Sequence, residues 1–305
     1  MGRRKNGQYL FYIALATLAI LFFLGRLRIE PFQNKEKPKG VILELIGGLG
    51  NQLYIYSAGK VIEKSLNVPI FLVSPSEHIK FKNVHSTTDY RDILFKDFTA
   101  IERNDTRLSD KIDARVEMAF WDPWKPEDIP STSQYVYLPQ QWYQYFPAIN
   151  DVIPEVRTSV TNTFKRLYGK TTLSPNSAFI HVRRGDYTRD GNEAYLLGMD
   201  YYNKAFDILN RVEDIQSYYM LSDDIEWCKK QTWNTTKRIT YLDEPNEMKA
   251  LYMMSQCKGG AIISNSTFST WGAILGAYET EGKIIYPSKW LYGASTAFPT
   301  DWIRI

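Results

Sequence analysis

The longest apolar run lies at the N-terminus, where Tyr9–Leu24 (YLFYIALATLAILFFL) passes sixteen residues without a charge, behind Gly2-Arg3-Arg4-Lys5. A helix packed on a protein core would keep one polar face, and this run has none. It is shorter than the roughly 20 residues usual for a membrane span. No A-x-A-like cleavage site follows it, so it reads as an uncleaved signal anchor. Basic residues ahead of the run favour a cytoplasmic start, and a short span suits the thinner membranes of the early secretory pathway. The expected layout is a tail over residues 1–8, an anchor over 9–24 and a charged, proline-containing stem over 25–40.

Beyond the stem the pattern changes to short apolar runs separated by helically spaced ones. Val41–Ile46 (VILELI) predicts a buried strand ending in Gly47-Gly48-Leu49-Gly50. Leu53, Tyr56, Val61, Ile62 and Leu66 then recur at helical spacing, and Val68–Val73 (VPIFLV) is the next strand, completing a βαβ opening. Ser74–Asp151 is polar, aromatic and proline-rich, and its pattern orders no elements. The second half alternates clearly. Strands are expected over Ala178–Val182, Ser217–Ser222, Arg238–Leu242, Gly259–Ser264 and Lys283–Pro287, with helices over Tyr201–Val212, Glu247–Cys257 and Ser266–Gly276. Such alternation implies a parallel sheet with ligands at the carboxyl ends of its strands. A boundary near Asp151–Asn176 divides the chain into α/β domains over residues 41–160 and 161–305.

Composition narrows the function. A net charge of +3 over 305 residues, with no basic block, excludes a nucleic-acid footprint. The 21 Tyr and 8 Trp lean toward stacking on sugars or bases, although cores use the same residues. Cys228 and Cys257 either pair in an oxidising compartment or stay as buried thiols. His78, His85 and His181 are the only histidines, there is no Cys/His metal spacing and no D-x-D, and no metal is expected. In a lumenal body, Asn104-Asp105-Thr106 and Asn234-Thr235-Thr236 are glycosylation acceptors.

Three clusters carry candidate chemistry. In Phe179–Asn192 (FIHVRRGDYTRDGN) a strand runs into two adjacent arginines. Neither can lose its proton, so both point to water or an anion lies between them. At the carboxyl end of a parallel strand, Arg183 offers a planar fork to phosphate oxygens. Arg184 can be held by Asp186 or by another carboxylate. In Ile263–Gly276 (ISNSTFSTWGAILG) a strand gives way to hydroxyl residues and a helix start, whose N–H groups suit a diphosphate. Ordinary capping would need only one of Ser266, Thr267 and Ser269. The third cluster, Gly47–Gln52, lacks the last glycine of G-x-G-x-x-G and the Gly-Lys-Ser/Thr of a Walker loop. Its amides serve either a substrate hydroxyl or a helix cap. Asp223-Asp224 is the only acidic doublet that directly follows a strand.

Taken together, GGLGNQLYIYSAG, HVRRGDY, LGMDYY, LSDDIEWCKK and SNSTFSTWGAIL resemble the α-1,2-fucosyltransferase family, glycosyltransferase family 11, from Val41 to about Trp290. The resemblance implies a GT-B-like fold of two Rossmann-type domains behind one N-terminal transmembrane helix. It implies GDP-fucose as donor and inverting transfer to a hydroxyl, O2 of a terminal galactose, on a glycoprotein or glycolipid glycan. It further implies no cofactor, no metal and a single-pass type II Golgi membrane protein with a lumenal catalytic domain. By the same resemblance Arg183 holds the β-phosphate, with Arg184 and Asp186 beside it. His181 lies by the diphosphate and ribose, and Ser266, Thr267, Phe268 and Ser269 grip the diphosphate. Asp223 is the first acid of the family's doublet, and Asn51 is an amide near the reacting sugar. Relatives often carry an acid before LYMMS that reads guanine; Ala250 stands there in this chain, and Glu247 one turn earlier is its substitute. Asp190 and Glu193 are both open as general base. An inverting fucosyltransferase of another linkage, and a non-catalytic binder of GDP-sugar or glycan, are the alternatives.

Overall fold

A computed structural model describes residues 36–74, 88–114, 123–138, 142–189, 192–280, 282–290 and 297–305. The expected tail, the anchor and most of the stem fall outside these residues, as do His78, His85 and Asp190. Among the described residues no helix is long and apolar enough to cross a membrane.

Residues 37–305 form one unit, and its described residues carry two parallel sheets. The first contains β1 (Gly40–Glu44), β2 (Ile70–Val73), β3 (Thr99–Ile101), β4 (Lys111–Asp113) and β5 (Tyr135–Leu138), in the order β3-β2-β1-β5-β4. The second contains β6 (Ser177–Val182), β7 (Ser217–Ser222), β8 (Arg238–Leu242), β9 (Gly260–Ile262), β10 (Lys283–Tyr286) and β11 (Ile303–Arg304), in the order β11-β10-β9-β6-β7-β8. Central strands β1 and β6 are buried along their whole length. Parallel strands covered on both faces read as unbroken apolar runs, which is why these two were legible. In the first half β3 and β4 have three residues each and sit at the sheet edges, too short and too exposed to show a period of two.

The helices are α1 (Leu49–Leu66), α2 (Phe146–Ile149), α3 (Ile153–Tyr168), α4 (Met199–Leu209), α5 (Ile225–Lys229), α6 (Glu247–Gln256) and α7 (Thr267–Leu275). Helix α3 stands where the sequence suggested an inter-domain boundary, and position 160 falls inside it. Val156, Val160 and Phe164 bury one face of α3, and the Phe164 ring meets Tyr252 of α6 at 5.9 Å.

Helix α1 crosses from β1 to β2 and is buried almost all round, so its core-facing surface is not a stripe but most of its girth. Leu43, Leu49 and Leu53 join Leu251, Trp271 and Ile274 in one core, with the Tyr54 and Trp271 rings edge to face at 5.5 Å. Full burial of side chains of this size contributes about 1.5–3 kcal/mol each. Polar groups on α1 have partners inside. Ser57 donates to the Leu53 carbonyl at 2.8 Å, and the Lys60 ammonium meets Asp97, Glu63 and Glu155. The buried Arg91 guanidinium ties the ends of β2 and β3, donating to the Leu72 carbonyl at 3.2 Å and the Ile101 carbonyl at 2.6 Å. Cys228 and Cys257 are both free and buried, so of the two readings left open the thiols hold. Burial pushes them up to about 11 and about 12.

The starts of α1 and α7 touch through their backbones. A Cβ on Gly50 would lie 2.4 Å from the Phe268 nitrogen and 2.6 Å from the Thr267 carbonyl carbon. Backbone cannot swing aside as a flexible side chain can. Gly50→Ala is therefore expected to lower stability by about 1–3 kcal/mol, the usual range for overpacking, measured by denaturant unfolding. An unchanged midpoint would show that the two helix starts separate freely.

Candidate active site

The carboxyl ends of β1, β6 and β9 converge, and each brings one of the clusters singled out in the sequence. From β6, the buried His181 places Nδ1 3.0 Å from the Ser264 hydroxyl, beyond the end of β9. Its ring centroid lies 5.6 Å from that of Phe268. Ser264 is fixed in turn, its N–H donating to Ser269 Oγ at 3.0 Å. The helix α7 begins at Thr267 after Ser266, whose side chain makes no capping bond. Ser269 is thus committed to the strand end, and the first N–H groups of α7 face the junction with α1.

The two arginines part company after Val182, because successive side chains leaving a strand point to opposite faces. Arg183 lies between two carboxylates, Nη1 2.7 Å from Asp223 and Nη2 2.5 Å from Asp186. Arg184 Nε pairs with Asp224 at 3.0 Å and its guanidinium stacks over the Trp227 ring at 4.0 Å. The sequence left the partner of Arg184 open; the structure gives it Asp224 and puts Asp186 on Arg183. Asp223 also accepts the Arg184 backbone N–H at 2.8 Å. Both guanidiniums are therefore oriented by carboxylates on a neighbouring strand end, which relieves their mutual repulsion.

From β1 comes a turn with Gly47 in a left-handed conformation (φ 69°), a region that favours glycine. Gly48 is the N-cap of α1, without a side-chain bond. Asn51 therefore does not cap the helix. Its Oδ1 accepts from the Thr267 hydroxyl at 2.8 Å and from Gln144 Nε2 at 2.9 Å. Gln52 is buried and turns inward, Nε2 donating to the carbonyls of Gly47 at 3.0 Å and Thr88 at 2.8 Å. Glu247, at the start of α6, reaches the same place: it accepts the Tyr90 hydroxyl and lies 3.4 Å from the Leu49 nitrogen, and the Tyr90 phenol is held well above its ordinary range by burial and by Glu247. Of the two candidate bases, Asp190 is outside the described residues. Glu193 opens an exposed turn (Glu193–Tyr195) tied to the site by Asn265 Nδ2, which donates to the Tyr195 carbonyl at 2.9 Å.

Arg183, His181, Asp186, Asp223, Asn51, Thr267, Phe268, Ser269 and Glu247 thus belong to one connected set. The sequence reading passed over Ser264, Tyr187, Tyr90 and Gln144. Tyr187, whose hydroxyl donates to the Asn265 carbonyl at 3.2 Å, lies inside HVRRGDY and was within reach. Tyr90 and Gln144 come from the segment with no readable period. Among the described residues no group of three or more His, Cys, Asp or Glu is placed to hold a metal ion.

The family model described as Glycosyl transferase family 11 matches residues 60–305. The chain belongs to glycosyltransferase family 11. It is 33% identical over 137 residues to the O-antigen biosynthesis glycosyltransferase WbnK of Escherichia coli, covering 43% of this chain and 45% of that protein. It is 23% identical over 288 residues to an Escherichia coli alpha-1,2-colitosyltransferase, covering 87% of this chain and 98% of that protein. To the human galactoside alpha-(1,2)-fucosyltransferase 1 it is 25% identical over 175 residues, covering 52% of this chain and 46% of that protein.

These relatives correct one expectation. Two of them are enzymes of a bacterium, whose cells contain no Golgi apparatus, so the assignment to a Golgi membrane as a single-pass type II protein falls. An apolar run behind basic residues carries no address of one organelle. The glycosylation reading of Asn104 and Asn234, both exposed, loses the compartment argument on which it stood.

The brace around Arg183 yields a contrast. Asp223→Asn keeps the shape, but an amide cannot serve Arg183 and the Arg184 N–H as a carboxylate does. Hydrogen bonds to charged groups are worth about 1.5–3 kcal/mol, so Asp223→Asn is expected to lower unfolding free energy by about that amount. Asp224 is 37% exposed, and Asn can still cap α5, so Asp224→Asn is expected to cost less than about 1 kcal/mol. Denaturant unfolding of both variants checks the order, and equal costs would refute it.

Proposed function

We propose that this family 11 enzyme carries L-fucose from GDP-fucose to O2 of a terminal galactose on a glycan, with inversion at the anomeric carbon. Residues 41–160 and 161–305 act as the two Rossmann-type domains of a GT-B-like plan. One observation carries the proposal: a braced arginine, a helix start and a glycine turn followed by a clamped amide come together at the carboxyl ends of β1, β6 and β9. The acceptor oxygen forms a bond to C1 of fucose while the bond from C1 to the diphosphate breaks. The acceptor proton passes to a base, for which Asp190 and Glu193 are the candidates, and the electron pair leaves on GDP. Charge developing on the diphosphate is taken by Arg183 and by the N–H groups at the start of α7. Because Arg183 is already oriented by Asp186 and Asp223, little of its conformational freedom is left to lose. A second reading of the donor, a colitosyl rather than a fucosyl sugar, is favoured by the colitosyltransferase relative matched over 98% of its length.

The test is incubation with GDP-fucose and a galactose-terminated oligosaccharide, with the product's linkage read by NMR. An α-1,2-fucosyl product is expected; transfer to another position, or GDP release without a product, would overturn the linkage or the transfer. Competition between the two donors separates the donor readings.

Arg183 supplies the kinetic prediction. Lysine keeps the charge and loses the fork, so it cannot serve carboxylates and phosphate together. If the guanidinium bonds strengthen as GDP departs, the loss falls on kcat as well as on the donor KM. Arg183→Lys is expected to reduce kcat by about 10²–10³, as for other oriented donors to developing charge, and Arg184→Lys by less. Steady-state kinetics with a melting control decide; near-normal kcat in folded Arg183→Lys would leave this arginine a point charge only.

A further inference from the structure

Gln144 lies between β5 and α2, in the part of the chain whose sequence pattern orders nothing, and its side chain is buried. Its Nε2 donates to Asn51 Oδ1 at 2.9 Å, and the Thr267 hydroxyl donates to the same oxygen at 2.8 Å. An amide oxygen has two lone pairs and therefore two good acceptor positions. Both are taken, by residues from opposite sides of the junction. Asn51 Nδ2 makes no hydrogen bond among the described residues, lies against the Gly47 turn, 2.3 Å from where a Cβ on Gly47 would stand, and belongs to a half-buried side chain.

We infer that Gln144 is a positioning residue: with Thr267 it fixes the Asn51 amide in one orientation, so that Asn51 meets the reacting sugar or the leaving oxygen only as a hydrogen-bond donor. The inference rests on the proposed fucosyl transfer and adds to it a determinant from the acceptor-side half. A freely turning amide would offer its oxygen half the time to a group that carries growing negative charge. An amide with a committed oxygen offers N–H always, without reorganisation at the moment of reaction. Thr267 belongs to the helix expected to grip the diphosphate, so the Asn51 orientation also depends on the donor-side helix standing in register with α1.

The experiment is a set of isosteric exchanges in the full chain, with GDP-fucose and a galactose-terminated oligosaccharide. Gln144→Glu puts an acceptor where a donor stood, so Asn51 must turn its Nδ2 away from the sugar. Asn51→Asp keeps both clamps, puts an acceptor oxygen in place of the donor and adds a negative charge. Each is expected to reduce kcat roughly tenfold or more with little change in melting temperature, the size typical of residues coupled through one network. Gln144→Glu combined with Asn51→Ala is expected to be no worse than Asn51→Ala alone. A packing role for Gln144 would instead add its full effect in that background. Near-normal kcat in Gln144→Glu, or additivity in the double variant, overturns the inference while leaving the transfer reaction standing. A wild-type chain that transfers no fucose refutes the proposed function instead. The clamp is then read without any sugar, from solvent exchange of the Gln144 side-chain amide protons by NMR. They are expected to be protected in the wild type and in Asn51→Asp and unprotected in Asn51→Leu; equal exchange in all three overturns the clamp.

Discussion

Two helix starts lie against each other with only the hydrogen of Gly50 between them, and the rest of the site is built on that contact. Helix α1 belongs to the first sheet and α7 to the second. Their backbones come so close that the Thr267 hydroxyl reaches Asn51 at 2.8 Å. From the same junction Glu247 reaches across to the first N–H of α1 and to Tyr90. The apolar layer behind it, with Tyr54 edge-on to Trp271, holds the two helices at this distance. A methyl group at position 50 would part the polar contacts in front and the aromatic contact behind.

Charge is arranged around the junction with few degrees of freedom. Arg183 and Arg184 are each held by carboxylates that follow β6 or β7, so the guanidiniums stand in fixed orientations. The far end of α7 is handled separately. Lys258 donates to the Leu275 carbonyl at 3.2 Å and to the Gly276 carbonyl at 3.3 Å. A cation thus sits at the negative end of the helix whose positive end faces the junction. Desolvation and the neighbouring Arg157 lower the Lys258 pKa, a mark of how far the amine has been drawn out of water.

The second half of the chain was legible because its central strands are covered on both faces. Ser217–Ser222 and Arg238–Leu242 match β7 and β8 residue for residue, and the clusters after β6 and β9 stand at strand ends as the alternation required. Helix α3 is not among the expected elements, although Ile153, Val156, Val160 and Phe164 are helically spaced, because it falls inside the expected boundary near Asp151–Asn176. The first half was hidden for another reason: three-residue edge strands carry no period, and Gln144 acquires its role from a contact 93 positions away. Arginine pairing was equally out of reach, since Asp223 and Asp224 become neighbours of Arg183 and Arg184 only through the pairing of β6 with β7. Motifs point to candidate site residues; the residues that hold them still are scattered through the chain.

Cys228 and Cys257 have a consequence for handling the protein. Burial raises the thiols to about 11 and about 12, so the thiolate, the form that exchanges or oxidises, is scarce at neutral pH. No covalent cross-link joins either cysteine. The fold therefore does not depend on a disulfide between them, and neither buried thiol is open to exchange while the chain stays folded.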